Sequence, residues 1–350
     1  MAEPPNNKNF LNNLTTLDWL KIAAIIIVAL FLLYRCLLPF RAEYVFREAF
    51  TAESQQNFPK AIEKYLKVWK LAPWETYYLT SLGRIYENQA RQITNPEERL
   101  AKIKQAEEVY DWCLNISPTN PWYVIRKGEI YGMYAEIESD PEKKAELIAQ
   151  RETKILEAAE LDKNNAIFQM TAGNLFLQRR EYDKAIERYE HALIIDDRTA
   201  EAYLRLAEIY TIQNNPQKRE ELYKAWTEKA PEDANSYLYL GQLYDATNRH
   251  AEAVALYKTA ANLDKKNEAA FRLLGNALYR DQDWADMEKA YNRLTVLKSD
   301  NADYYLFKAQ AQAQQRKYKE AITSLEAAQT LRPDDANIRA NLNNLKSQVK

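Results

Sequence analysis

Five of the six glycines in this 350-residue chain stand on one ruler: Gly83, Gly128, Gly173, Gly241 and Gly275. The gaps are 45, 45, 68 and 34 residues, and 68 is twice 34. The missing beat is Ala207, and one further step of 34 in each direction reaches Ala49 and Ala309. A glycine inside a helix costs roughly 0.5–1 kcal/mol relative to alanine, so its recurrence needs a packing reason. A tiny side chain every 34 residues predicts a repeat of two helices whose backbones approach at one point per unit.

One unit shows the pattern within the period. Residues 234–267 read Tyr237-x2-Leu240-Gly241-x2-Tyr244, then Ala253-x3-Tyr257-x2-Ala260 and Leu263. Apolar residues three and four apart place one stripe on each of two helices. The same frame divides the chain into eight units: 42–75, 76–120, 121–165, 166–199, 200–233, 234–267, 268–301 and 302–335. A large second-helix residue recurs as Tyr65, Tyr110, Ile155, Tyr189, Tyr223, Tyr257, Tyr291 and Leu325. Prolines at 73, 118, 231 and 333 mark where second helices stop. Residues 336–350 read as a polar-faced capping helix, which an open-ended array requires.

This pattern resembles the tetratricopeptide repeat (TPR), with its large-x2-Leu-Gly-x2-Tyr, Ala-x3-Phe and closing Pro positions. The resemblance covers about 42–350. It implies an all-α, right-handed superhelical solenoid of about eight helix-turn-helix repeats plus the C-terminal cap. It also implies binding of a protein partner or an extended peptide in a concave groove lined by the first helix of each unit. Little β-branched alternation speaks for strands. The formal net charge is −2 with both signs interleaved, which argues against a nucleic-acid partner.

Ahead of the repeats, Ile22 to Leu33 is uninterrupted apolar sequence, and the zone extends from Trp19 to Phe40 with Lys21 and Arg35 near its ends. About 20 apolar residues span a bilayer, and terminal basic side chains can snorkel. A cleaved signal peptide is the competing reading, but residues 34–44 offer no small-x-small site. We therefore expect a polar segment over 1–18 and one transmembrane helix over 19–40, in a single-pass membrane protein, a bacterial inner membrane being favoured. Lys8 and Lys21 on one flank against Arg35, Arg41 and Arg47 on the other assign no side to the repeats.

Units 76–120 and 121–165 each hold eleven extra residues between their helices. Eleven residues make about three helical turns, expected to lengthen both helices by one and a half turns. Thr94-Asn95-Pro96-Glu97-Glu98 and Ser139-Asp140-Pro141-Glu142 then read as cap, proline and acid at a helix start. They suit either a tolerated duplication or a raised fin near the membrane. The layout of 37–44 and the two long repeats resembles the TPR tails of some bacterial O-antigen ligase/polymerase-type proteins, without their multi-span catalytic part. A single N-terminal helix followed by repeats also resembles membrane-anchored scaffolds of lipopolysaccharide assembly, without their Cys-x2-Cys metal module. These resemblances imply a scaffold or adaptor in envelope assembly. The alternatives are a non-catalytic subunit of a glycan ligase or polymerase complex, or an import receptor that reads chaperones.

Enzyme chemistry has no visible seat. His191 and His250 lack partners at metal-ligand spacing, and neither a phosphate loop nor a Gly-x-Ser-x-Gly turn occurs. We expect no catalytic residue, metal, cofactor or small-molecule substrate. Transferring the TPR groove positions gives Asn174, Arg205, Glu208, Tyr239, Gln242, Arg272, Asn276, Tyr279, Arg280, Gln310 and Gln314. Arg272 and Asn276 match two positions of the carboxylate clamp of chaperone-binding TPRs, but Phe307 stands where the clamp's next Asn belongs. An amide-rich groove with Arg272 and Arg280 for an acidic partner is the resulting expectation.

Overall fold

The computed structural model describes residues 15–348; of the N-terminal polar segment, residues 1–14 lie outside the described residues. Among those described, every regular element is a helix. The helices fall into two compact units, the first ending at Lys163 and the second beginning at Asn164. The first contains α1 (Thr16–Ser54), α2 (Phe58–Leu71), α3 (Thr76–Gln92), α4 (Pro96–Ile116), α5 (Pro121–Ile137) and α6 (Pro141–Leu161). The second contains α7 (Ala166–Gln178), α8 (Tyr182–Ile195), α9 (Ala200–Ile212), α10 (Pro216–Lys229), α11 (Ala234–Ala246) and α12 (His250–Leu263). It continues through α13 (Glu268–Arg280), α14 (Trp284–Leu297), α15 (Ala302–Gln314), α16 (Tyr318–Leu331) and α17 (Ala336–Gln348).

Most starts are capped by Asn or Asp. Asn57, Asn95, Asn120, Asp140, Asn165, Asn215, Asp233, Asn267, Asp283 and Asn301 each accept from a backbone N–H of the first turn. Replacing such a cap by alanine costs about 1 kcal/mol.

The small-residue ruler has a more specific cause than backbone approach alone. A Cβ placed on Gly83 would lie 2.6 Å from Tyr110, one on Gly173 2.5 Å from Tyr189, one on Gly241 2.7 Å from Tyr257 and one on Gly275 2.7 Å from Tyr291. In these four hairpins the second-helix tyrosine ring rests on the bare glycine. Gly128 faces Ile155's helix instead, and there a Cβ would meet Lys154 Cβ at 3.0 Å and the Arg151 carbonyl at 3.2 Å. So a ring rests on glycine in four of the six hairpins whose second helix supplies a tyrosine; Ala49 and Ala207 stand at the matching position for Tyr65 and Tyr223, and Gly128 is a close backbone approach instead. Gly132, off the ruler, faces only the Arg151 side chain.

The short hairpins turn without glycine. Gln56, Arg180, Asn214, Asn248, Gln282 and Arg316 all take φ between 50° and 61°, and each lies between a first and a second helix. The N–H of the following residue bonds a carbonyl five residues back, as in Glu181 to Phe176 at 2.9 Å and Asp283 to Leu278 at 3.0 Å. That is the left-handed helix-terminating turn, here accepted by ordinary side chains at a strain cost of order 1 kcal/mol.

The two long hairpins use extended connectors at Ile93 and Glu138 instead. Their extra residues divide unequally. First helices α3 and α5 have 17 residues against 13 in α7, and second helices α4 and α6 have 21 against 14 in α8. The first helix gains about one turn and the second about two, rather than one and a half each.

α1 is one unbroken helix of 39 residues, with Pro39 inside it, and is the one described helix long and apolar enough to cross a membrane. Residues 16–37 are exposed apart from partial cover on Asp18 and Ile22; burial against the first hairpin begins at Leu38 and Ala42. The helix then packs through Ala42 and Val45 on Val68 and Ala72 of α2 and its end. α3 runs parallel to it: Tyr78 donates to Glu43 at 2.6 Å and Arg84 to Glu53 at 2.8 Å. The turns lengthened in the long hairpins therefore stand at the end of this unit remote from the apolar part of α1, not beside it.

Candidate functional site

In the second unit the inner helices α9, α11, α13 and α15 carry most of the sequence-derived groove residues, and their environments differ sharply. Asn174 of α7 accepts from the Tyr189 hydroxyl at 2.7 Å, and Asn276 of α13 from the Tyr291 hydroxyl at 2.8 Å. Each asparagine follows the glycine under that ring, so both hold the repeat together as well as facing outward. Asn276 is exposed while doing so. Arg205 pairs with Glu208 at 3.2 Å and Glu201 at 3.6 Å. The Glu208 carboxylate raises the Arg205 pKa, against partial burial. Tyr239 stacks on Trp226 and Tyr223, with ring centroids 5.8 and 5.9 Å away. Trp226 itself lies parallel to Tyr203 at 5.2 Å, which shows how α10 accommodates a large residue where other units carry a small one.

Further along, Arg280 is neutralised by Asp245 at 2.5 Å, the same carboxylate that His250 Nδ1 approaches at 2.7 Å. Arg280 is therefore not the open cation the sequence reading gave it. Arg272 is exposed, and among the described residues no carboxylate lies within ion-pair distance of it. Tyr279 packs edge-on against Trp284 at 5.7 Å and accepts weakly from Gln310 at 3.4 Å. Gln242 and Gln314 are exposed.

Gln310 lines a cleft of about 440 Å³ with Leu306, Phe307, Asn341, Asn344 and Leu345. Phe307 also stacks on Tyr291 at 5.0 Å. The structure thus brings Asn276 and Phe307 together on Tyr291, and Phe307 and Gln310 into one cleft with Asn341 and Asn344 from α17. The sequence pattern alone reads α17 as a polar-faced capping helix.

The first unit holds a cleft that sequence reasoning missed. About 540 Å³ is lined by Phe46 and Phe50 of α1, Tyr77 and Arg84 of α3, and Trp122 and Arg126 of α5, among others. Arg84 pairs with Glu53 at 2.8 Å, and Arg126 reaches the buried Glu87 at 3.4 Å. Burial pushes the Glu87 carboxyl pKa up. The signal was present: Phe50 and Arg84 each follow a residue of the small-residue ruler, the phase that singled out Asn174 and Asn276. Among the described residues no group of three or more His, Cys, Asp or Glu could hold a metal ion.

The comparisons agree with this architecture. The tetratricopeptide repeat family model matches residues 170–234, 220–270 and 272–336, so that stretch of the chain consists of tetratricopeptide repeats. The C-terminal part of a TPR repeat-containing protein from Cytophaga hutchinsonii superposes with TM-score 0.52 at 15% identity, covering 77% of this chain and 99% of that one. The pilF protein of Pseudomonas aeruginosa does so with TM-score 0.42 at 16% identity, covering 63% and 96%. No curated protein matches. The fold is an all-helical TPR solenoid.

Proposed function

We propose that the chain is a membrane-anchored TPR scaffold that holds an extended segment of a partner protein against the inner helices of its second unit. The observation that carries this is the unpaired, exposed Arg272 on the same inner face as Asn276 and the Phe307–Gln310–Asn344 cleft. A cation, an apolar platform and several amides match a peptide with one acidic group, an apolar side chain and free backbone groups. Glutamines and asparagines can bond either a peptide N–H or a carbonyl, which suits main-chain recognition. The proposed groove extends along Arg205, Glu208, Tyr239, Gln242, Tyr279 and Gln314.

Anchoring is supported by the apolar stretch of residues 19–40, exposed as far as Leu37 apart from partial cover on Ile22, which at 1.5 Å per residue spans about 33 Å, against roughly 30 Å of hydrocarbon. A bilayer accounts for so much unpartnered apolar side chain. The further reading, that the pathway is bacterial envelope assembly, rests on the layout of one apolar helix followed by repeats. A photo-crosslinker at Gln310 should capture a partner protein in cells, and Phe307→Asp should abolish the capture. Equal capture from Glu320, on the second helix of the same hairpin, would count against the groove. A polytopic glycan enzyme as the main captured species would favour the subunit alternative.

A further inference from the structure

Resting on the reading that residues 19–40 cross a bilayer, we propose that the anchor-side edge of the first unit is seated in the lipid interface through an aromatic belt formed by Trp74, Trp112 and Trp122. The belt's ligand is the headgroup and glycerol region of a phospholipid surface.

Depth comes from α1 itself. Because the helix continues unbroken from the apolar stretch into the first hairpin, the bilayer boundary is fixed relative to that hairpin and falls between Arg35 and Phe40. At that level the Arg35 guanidinium carbon lies 5.2 Å from the Trp74 ring centroid. The loop between α2 and α3 therefore meets the anchor where hydrocarbon gives way to headgroups. The next loop is held beside it: Trp112 Nε1 donates to the Pro73 carbonyl at 2.7 Å, and the Tyr123 hydroxyl to Thr76 Oγ1 at 2.8 Å.

Composition is asymmetric along the hairpins. Trp74, Trp112 and Trp122 are 42%, 40% and 43% exposed, with Ile116 beside them at 41%. The remote ends of the long hairpins carry Thr94-Asn95-Pro96-Glu97-Glu98 and Ser139-Asp140-Pro141-Glu142. Large indoles exposed at one end only, and at the end where the anchor emerges, mark a surface that meets something apolar on one side and wet on the other. Interfacial tryptophans have that preference. On α1, Phe40 continues the exposed apolar surface past Arg35, and Arg35 can present its charge to phosphate while its stem stays in hydrocarbon.

The test uses the full-length protein in phosphatidylcholine/phosphatidylglycerol vesicles whose acyl chains are brominated near the glycerol end, read by tryptophan fluorescence. The Trp19→Phe protein should still lose emission relative to unbrominated vesicles, and most of that loss should vanish once Trp74, Trp112 and Trp122 are also Phe, Trp69 beside Trp112 being the indole left at that end. Undiminished emission from the Trp19→Phe protein, with Trp19 of the unaltered protein quenched, overturns the belt while leaving the anchor standing. Quenching undiminished by the triple substitution overturns it as well. Extraction by alkaline carbonate together with unquenched Trp19 sinks the anchor, and the belt with it. The Trp19→Phe measurement leaves the belt residues intact, so it does not depend on how the triple variant folds.

Discussion

The ring-on-glycine contact can be tested by adding one methyl group. In Gly241→Ala the new Cβ would sit 2.7 Å from Tyr257 Cε1 and 2.9 Å from Cδ1, with Leu256 Cβ at 3.4 Å. The ring belongs to the core at 1% exposure, so it cannot swing into solvent without opening the hairpin. Overpacking of this kind costs about 1–3 kcal/mol, and alanine returns roughly 0.5–1 kcal/mol through better helix propensity. The net expectation is destabilisation of about 0.5–2 kcal/mol by that balance. Two hairpins carry alanine at the matching position, Ala207 with Tyr223 at 8% exposure and Ala49 with Tyr65 at 0%, so their helices have adjusted to the methyl group in ways the glycine hairpins have not. Thermal and urea unfolding monitored by circular dichroism, with amide exchange across residues 234–263, would locate the effect. Gly132→Ala is the control, because its Cβ meets only Arg151 Cδ at 2.9 Å and Nε at 3.2 Å, atoms of a flexible side chain. It should be neutral or stabilising by up to roughly 1 kcal/mol. Tyr257→Leu, which copies the Ala309–Leu325 pairing, should relieve part of the Gly241→Ala cost in a double-mutant cycle. If Gly241→Ala were as stable as the unaltered chain, or if the two alanine variants behaved alike, the contact would not explain the repeat's glycines.

Other outcomes follow from the same structure. Gln282 holds a φ of 57°, so Gln282→Gly should raise the unfolding midpoint by the equivalent of up to about 1 kcal/mol, strain relief outweighing chain entropy; a fall in midpoint would refute the strain. Cys113 is buried and its thiol is pushed up to about 12 by that burial, whereas Cys36 is exposed. A maleimide in detergent at neutral pH should therefore label one cysteine, and the second only on unfolding. Glu220 is held down to about 2 by hydrogen bonds from Lys224 and Arg249 and by the Tyr244 hydroxyl. A depressed carboxyl contributes stability above its unfolded value near 4.5 and loses it as pH falls toward 2. Glu220→Gln should flatten that part of the acid-stability curve by about 1 kcal/mol or less, since the network is partly exposed.

The sequence by itself determined the helix class, the pairing of helices and the phase of each inner face. Those properties depend on periodicity, and the 34- or 45-residue spacing of small residues, with tyrosines sixteen positions later in the 34-residue units and Tyr110 twenty-seven after Gly83, is fully written in the chain. It also determined the apolar stretch, since length and hydropathy are local properties. Tertiary structure decided the rest. That the glycines lie under tyrosine rings, that Asn174 and Asn276 hold those hydroxyls, and that Asp245 neutralises Arg280 depend on where side chains meet across helices. Spacing along one helix does not encode those meetings. The left-handed turns escaped notice because Gln282 or Arg180 carries no sequence signature of positive φ; the conformation is imposed by the helices on either side, whose packing outweighs the local strain. The unbroken course of α1 through Pro39, which brings the Arg35 guanidinium over Trp74, was likewise decided by packing: the first hairpin grips the helix from Leu38 onward, directly after its exposed stretch.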